Sequence, residues 1–167
     1  MPGADFGGVL FDHAIFRAAD LTEVDFQATA SCRYADFEGA SLARAQLEHI
    51  DASGAVFDRA VLHTSGMDHA TLTGASFVSA GLRNTKLTDV SAARASFKGA
   101  QLIQADFANS YLVNSSFDGA DVREANFQGC NLEGVSFVGA RGLQTADFSG
   151  AHLNIDLLAH LVVAIQG

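Results

Sequence analysis

Every fifth residue is large and apolar along almost all of this chain. The stretch Ala95–Asn109, ASFKGAQLIQADFAN, shows the rule. Phe97, Leu102 and Phe107 stand five apart, and Ala95, Ala100 and Ala105 each precede one of them by two. A helix repeats near 3.6 residues and a strand at 2, so a period of five fits neither. From Cys32 to Phe137 it runs through 22 centres without a slip. Upstream, Phe6, Phe11, Phe16, Leu21 and Phe26 keep the period one residue out of phase. Downstream, Leu143, Phe148 and Leu153 are shifted by one again. The slips predict one-residue bulges at 27–31 and 138–142. All 13 Phe are centres, and Ala stands two before the centre in 19 of 30 units, so the pattern is not chance.

One large and one small side chain per five must point inward, and the other three positions carry the polar residues. That suits one side of a narrow tube: a short extended piece, then a turn. Four sides would close a coil of twenty residues, and a second period tests this. Phe37, Phe57, Phe77, Phe97, Phe117 and Phe137 recur every twenty, and Phe16 joins them across the first slip. The second side reads Leu42, Leu62, Leu82, Leu102, Val122, and the third Leu47, Met67, Leu87, Phe107, Phe127. The fourth reads Cys32, Ala52, Leu72, Ala92, Leu112, Leu132. Coils joined by backbone hydrogen bonds would lie ~4.8 Å apart, so 30 units make about 7.5 coils and a rod of roughly 36 Å. Residues 1–153 are the solenoid in this reading.

Enzyme signatures are missing: there is no G-x-S-x-G, P-loop or C-x-x-C, and a filled tube offers no cleft, so no catalysis and no cofactor are expected. Cys32 and Cys130 occupy inward positions several coils apart, too far for a disulfide. His49 and His69 stack outward with His63 on the neighbouring side, and Glu48 and Asp68 point away from them, so no metal site is expected. The start, MPGADFGG, lacks a basic stretch followed by an apolar run, and no long apolar run occurs elsewhere; a cytoplasmic protein without membrane contact is expected. With 19 Asp and Glu against 10 Lys and Arg, net −9, direct binding to nucleic acid is disfavoured and basic protein partners are not.

The units ADFEG, ASFKG, AQLIQ, ADFAN, ANFQG, CNLEG and ADFSG resemble the pentapeptide-repeat family, over residues 4–153. That resemblance implies a right-handed quadrilateral β-helix, an all-β solenoid. After Leu153 the period stops. Asn154 or Asp156 can start a helix, with Ile155, Leu158, Leu161, Val162 and Ile165 at helical spacing and Leu157 and Val163 as a second apolar face. Residues 154–167 are therefore expected to cap the last coil and to dimerise. The tail is similar to that of the Qnr and MfpA proteins of the family. That likeness implies a homodimer that mimics duplex DNA, binds DNA gyrase and confers fluoroquinolone or toxin resistance. The projecting loops of some Qnr members are missing here, as in the MfpA type.

The charge is a thinner match. Duplex DNA carries one charge per ~1.7 Å, so a rod of that length would carry roughly 21. Residues 1–80 hold 11 acids and 4 bases, and residues 81–167 hold 8 and 6. The expected acidic partner surface is therefore N-terminal: Asp20, Glu23, Asp25, Asp36, Glu38, Glu48, Asp51 and Asp58. Two readings follow, an acidic rod for a type II topoisomerase and an interaction scaffold for an unrelated protein.

Overall fold

The computed structural model describes residues 6, 8–26, 31–154, 157, 159 and 161–163. Its chain winds so that each side of one coil bridges the same side of the next, always in parallel. The third side shows the register: Gln46 pairs with Gly66, Gly66 with Lys86, Lys86 with Asp106, and Asp106 with Asn126. Each is a separation of twenty. The bridges are isolated rather than joined into long strands, because a turn occupies two of every five residues.

Backbone hydrogen bonds explain why five residues suffice. Around Phe97, its N–H donates to Ser116 O at 2.7 Å, and Ser116 N–H donates back to Ala95 O at 3.0 Å. Gly99 N–H reaches Asp118 O at 2.9 Å, and Ala100 N–H closes the turn on Phe97 O at 3.1 Å. Gln101 N–H donates to Ala80 O of the preceding coil at 2.9 Å. Four of five N–H groups are thereby satisfied along the backbone, and the one after the centre is left over. Gly99 takes φ 64, the positive value that the third residue of a type II turn requires.

The interior is apolar and rich in aromatic rings. Phe37 and Phe57 stack at 4.8 Å and 1°, Phe57 and Phe77 at 4.8 Å and 5°, Phe77 and Phe97 at 4.9 Å and 9°. Phe107, Phe127 and Phe148 form a second stack on the third side, at 5.3 and 5.2 Å. Across the tube the two stacks meet edge to face, as Phe97 and Phe107 do at 84°. Ring edges thus meet ring faces, the arrangement the aromatic quadrupole favours.

Both slips leave a clear trace. Leu10–Ser31 and Asp25–Gln46 are bridges 21 apart, as are Asn126–Asp147 and Asn131–His152. At the first slip, residues 27–30 lie outside the described residues. The second is narrowed by its bridges. Asp121 still pairs with Arg141 at a separation of twenty and Asn126 with Asp147 at twenty-one, so the extra residue enters after Arg141, from the C-terminal edge of 138–142 onward. The cause is Gly142. It holds the inward position at φ 84, where a Cβ would sit 2.7 Å from the Cα of Arg123. Without a side chain there, Leu143 moves into the core one residue late and is 3% exposed.

In the tail, Leu157, Ala159 and 161–163 are helical, and Asn154 Oδ1 accepts the Leu157 N–H at 2.8 Å, the geometry of an N-cap. Leu157 and Leu161 are 5% and 4% exposed and belong to the core, whereas Val162 and Val163 face outward at 46% and 73%. Leu157 is thus on the inward stripe rather than on a second face, because i and i+4 share one helix face. Ile155, Leu158 and Ile165 lie outside the described residues.

Small polar residues replace Ala at some inward positions and are satisfied there. Ser65 Oγ and Thr85 Oγ1 donate to Leu62 O at 2.8 and 2.7 Å, and Ser110 Oγ donates to Leu87 O at 2.8 Å. Ser115 Oγ is buried with no partner among the described residues. Ser115→Ala should therefore raise stability by about 1 kcal/mol in urea unfolding, since it removes an unpaired buried hydroxyl; a loss of stability would show that the hydroxyl is bonded.

Candidate acidic interface

The leftover N–H of each unit explains much of the acidity. Where Asp precedes the centre, its carboxylate accepts that N–H within its own unit. Asp36 takes Glu38 N–H at 3.0 Å, Asp51 takes Ser53 at 3.1 Å and Asp106 takes Ala108 at 3.0 Å. Asp20 does the same for Thr22, and Asp147 for Ser149. Where Asp follows the centre, it serves the next coil: Asp58 takes Val78 N–H at 3.0 Å, and Asp68 takes Thr88 N–H at 3.0 Å and its hydroxyl at 2.6 Å. Asn126 and Asn131 accept in the same way without charge. The position thus selects a short acceptor side chain, and a negative charge is optional.

Ion pairs then separate the sides. On the first side Arg17 contacts Asp36 at 2.6 Å and Glu38 at 3.8 Å, Arg59 contacts Glu38, and Lys98 lies 3.8 Å from Asp118. On the second, Arg44 holds Glu23 at 2.8 Å, while Asp121, with its side chain 6% exposed, is held by Arg123 at 2.7 Å and Arg141 at 3.5 Å. On the fourth, Arg33 contacts Asp12 at 2.7 Å and Asp51 at 4.0 Å. No residue of the third side takes part in these nine pairs. Among the described residues that side carries Asp25, Glu48, Asp68, Asp89, Asp106 and Asp147 against Lys86 alone. Its net charge is −5, while the first, second and fourth sides carry −1, 0 and −1.

The expected N-terminal surface is therefore dispersed. Asp36, Glu38 and Asp58 lie on the first side, Asp20 and Glu23 on the second and Asp51 on the fourth. Only Asp25 and Glu48 lie on the acidic side. Asp68, Asp89, Asp106 and Asp147 complete it and were missed by counting charge along the chain. The signal that finds them is position modulo twenty, with an added residue at each slip.

The remaining reactive side chains are structural. His49 and His69 stack at 4.9 Å and 7° on the edge of the acidic side. His63 Nδ1 accepts Arg83 N–H at 3.2 Å, and burial, then the Arg83 charge, holds its pKa below the ordinary value. Among the described residues no three His, Cys, Asp or Glu are grouped to hold a metal. Burial pushes the Cys32 and Cys130 thiols up to about 12, far from thiolate chemistry. A cavity of about 250 Å³ lies between 134–138, Asn154 and Leu157, and its lining carries no titratable side chain. Among the described residues no helix is long and apolar enough to cross a membrane.

Comparison with known proteins agrees with this architecture. Residues 60–137 match the family described as a pentapeptide repeat region, and 1–29, 30–65 and 40–77 match pentapeptide repeats. The fold is similar to Rfr23, a pentapeptide repeat protein of the cyanobacterium Cyanothece 51142, with TM-score 0.53 and 22% identity over 74% of this chain and 91% of that one. It is similar to QnrB1, a plasmid-mediated fluoroquinolone resistance protein, with TM-score 0.51 and 18% identity over 99% and 96%. HetL of Nostoc, a pentapeptide repeat protein involved in heterocyst differentiation regulation, gives TM-score 0.47 and 22% identity over 92% and 76%. At these identities the likeness is one of fold. No curated protein matches the chain.

Capping makes the fold sensitive to acid. Hydrogen bonds from Arg33 and then Ser31 lower Asp12 to about 2. Thr22 lowers Asp20, Arg123 lowers Asp121 and Ser149 lowers Asp147. At Asp118 burial acts upward and is outweighed by the Ser136 and Ser116 hydroxyls. A depressed carboxylate stabilises the fold above its unfolded pKa and loses that contribution as pH falls through the folded one. Urea midpoints should thus hold from neutral pH to ~4 and fall steadily below it, toward about 2; unchanged midpoints over that lower window would refute the role of the caps.

Proposed function

We propose that this chain, which belongs to the pentapeptide-repeat family, is a binding protein that offers its third side as a strand of negative charge to a basic groove shaped for DNA. DNA gyrase, a type II topoisomerase, is the foremost partner. The observation that carries the reading is that one side keeps an acid in nearly every coil and a net charge of −5 among the described residues, while the others carry −1, 0 and −1. Coils stack at the 4.8 Å of the Phe ladder, and one strand of B-DNA presents a charge per ~3.4 Å of axis. The rod thus offers a row of similar pitch and somewhat lower density. The fold likeness to QnrB1 supports the choice of partner class. Inhibition of the enzyme, or its protection from fluoroquinolones, is the expected consequence.

The caps supply a clean test. Asn keeps the accepting oxygen at Asp68 and Asp106, and Asn tolerates the φ of 56 at Asp89. An Asp68→Asn, Asp89→Asn, Asp106→Asn variant should stay folded and lose about tenfold in potency in a gyrase supercoiling assay with and without a fluoroquinolone. A wild-type protein that neither inhibits nor protects, or a variant equal to it, would remove the proposal. Affinity capture of a different stable partner would favour the scaffold reading instead.

The tail is the proposed homodimer contact and the closure of the last coil. Leu157 is spent on the core, so Val163, 73% exposed, is the better probe. Val163→Asp should turn a dimer into a folded monomer by light scattering and circular dichroism. A wild type that stays monomeric at high concentration would exclude the contact.

A further inference from the structure

Among the described residues the acidic side holds a base in one coil, and the positive charge continues around the rod there. Residues 80–99 form a single turn of the coil and hold Arg83 on the second side, Lys86 on the third, Arg94 on the fourth and Lys98 on the first. Their only acid is Asp89, so the turn carries +3. Described residues before it, up to 79, hold ten acids and four bases; those from 100 to 154 hold six and two. The rod is thus two acidic arms, −6 and −4, joined by a cationic waist.

Lys86 is the waist's projection into the acidic side. In the ladder it stands between Gly66 and Asp106. Gly66 has no side chain, and Glu48 lies over it, so closely that a Cβ there would collide with the Glu48 carboxylate. Asp106 does not neutralise Lys86. Its Oδ1 accepts from Ala108 N–H at 3.0 Å and from Asn126 Nδ2 at 2.9 Å, which turns the carboxylate to its own unit and the following coil. No ion pair of Lys86 occurs among the described residues. An unbroken row of cations laid along this side would therefore set one of them against a free ammonium, and like charges in register oppose association.

Resting on the proposed binding reading, we infer that the partner's surface is two basic patches divided by an anionic strip, and that Lys86 fixes the register between them. The strip lies within the two steps, ~9.6 Å, from the coil of Asp68 to that of Asp106, and faces Lys86 rather than Asp89, which stands at the turn of the same coil. A uniform duplex-binding groove fits this side less well than a divided one.

A double-mutant cycle isolates the pairing. Binding of an oligolysine peptide, and of the same peptide with its central lysines replaced by glutamate, is measured by fluorescence anisotropy at low salt. The proteins are wild type, Lys86→Glu and Lys98→Glu. The last makes the same charge change in the same coil on the first side. Glutamate replacement should weaken binding about tenfold more for Lys86→Glu than for wild type, while Lys98→Glu keeps the wild-type ratio. Equal ratios for wild type and Lys86→Glu, or equal changes for both variants, would overturn the register while leaving the acidic side a binding surface. Failure of wild type to bind either peptide would overturn the acidic-side reading and the register with it.

Discussion

The backbone ladder between coils governs everything else in this molecule. An N–H of one coil reaches a carbonyl of the next at about twenty residues' separation, and that bond sets the rise per coil. The Phe rings inherit the spacing and stack at 4.8–5.0 Å from Phe16 to Phe137. Surface charges inherit it too. Any side chain repeated at twenty becomes a row with a fixed pitch, whatever its chemistry. A solenoid therefore turns a sequence period into a physical ruler.

The same ladder leaves one N–H in five without a backbone partner, and this complicates any argument from net charge. Asp recurs before the centre in this chain, and the structure gives a reason: its carboxylate accepts that N–H from two residues on, as at Asp36 and Asp106. Much of the −9 is thus a by-product of hydrogen bonding. A bonded carboxylate still carries its charge, however, so capping does not decide whether a row is acidic from outside. Arginine decides that. Arg17, Arg33, Arg44, Arg59, Arg123 and Arg141 stand on three sides and bring them near neutrality among the described residues, while the third has Lys86 as its one base there.

The fold was legible because it depends on few residue types at fixed spacing. Phe, Leu and Ala at two inward positions gave the coil, its four sides and the ladder. The second slip shows in the sequence only as a span, because its starting point depends on the absence of a side chain at Gly142 against the Arg123 backbone. Leu157 was placed outward because a helical stripe fixes which residues share a face, not which face meets the core. The acidic side was hidden for a third reason. Charge summed over halves of the chain mixes four directions, and it cannot separate paired Asp36 from Asp68.

The turns offer an argument about the acidic side that does not use charge. The last residue of each turn takes positive φ, where a side chain costs of order 1–2 kcal/mol relative to glycine. On the first side the molecule often accepts glycine, at Gly39, Gly99, Gly119 and Gly139. On the second side it never does: Glu23, Arg44, Thr64, Asn84, Gln104 and Glu124 hold that corner in successive coils. The third mixes Gly8, Gly129 and Gly150 with His49, His69, Asp89 and Asn109, and the fourth mixes Gly54, Gly74 and Gly134 with His13, Tyr34, Arg94 and Asn114. The second-side corner is one edge of the acidic side. Its six side chains, Thr64 with its branched Cβ above all, are exposed and held against conformational preference, a cost that the packing of the core does not require.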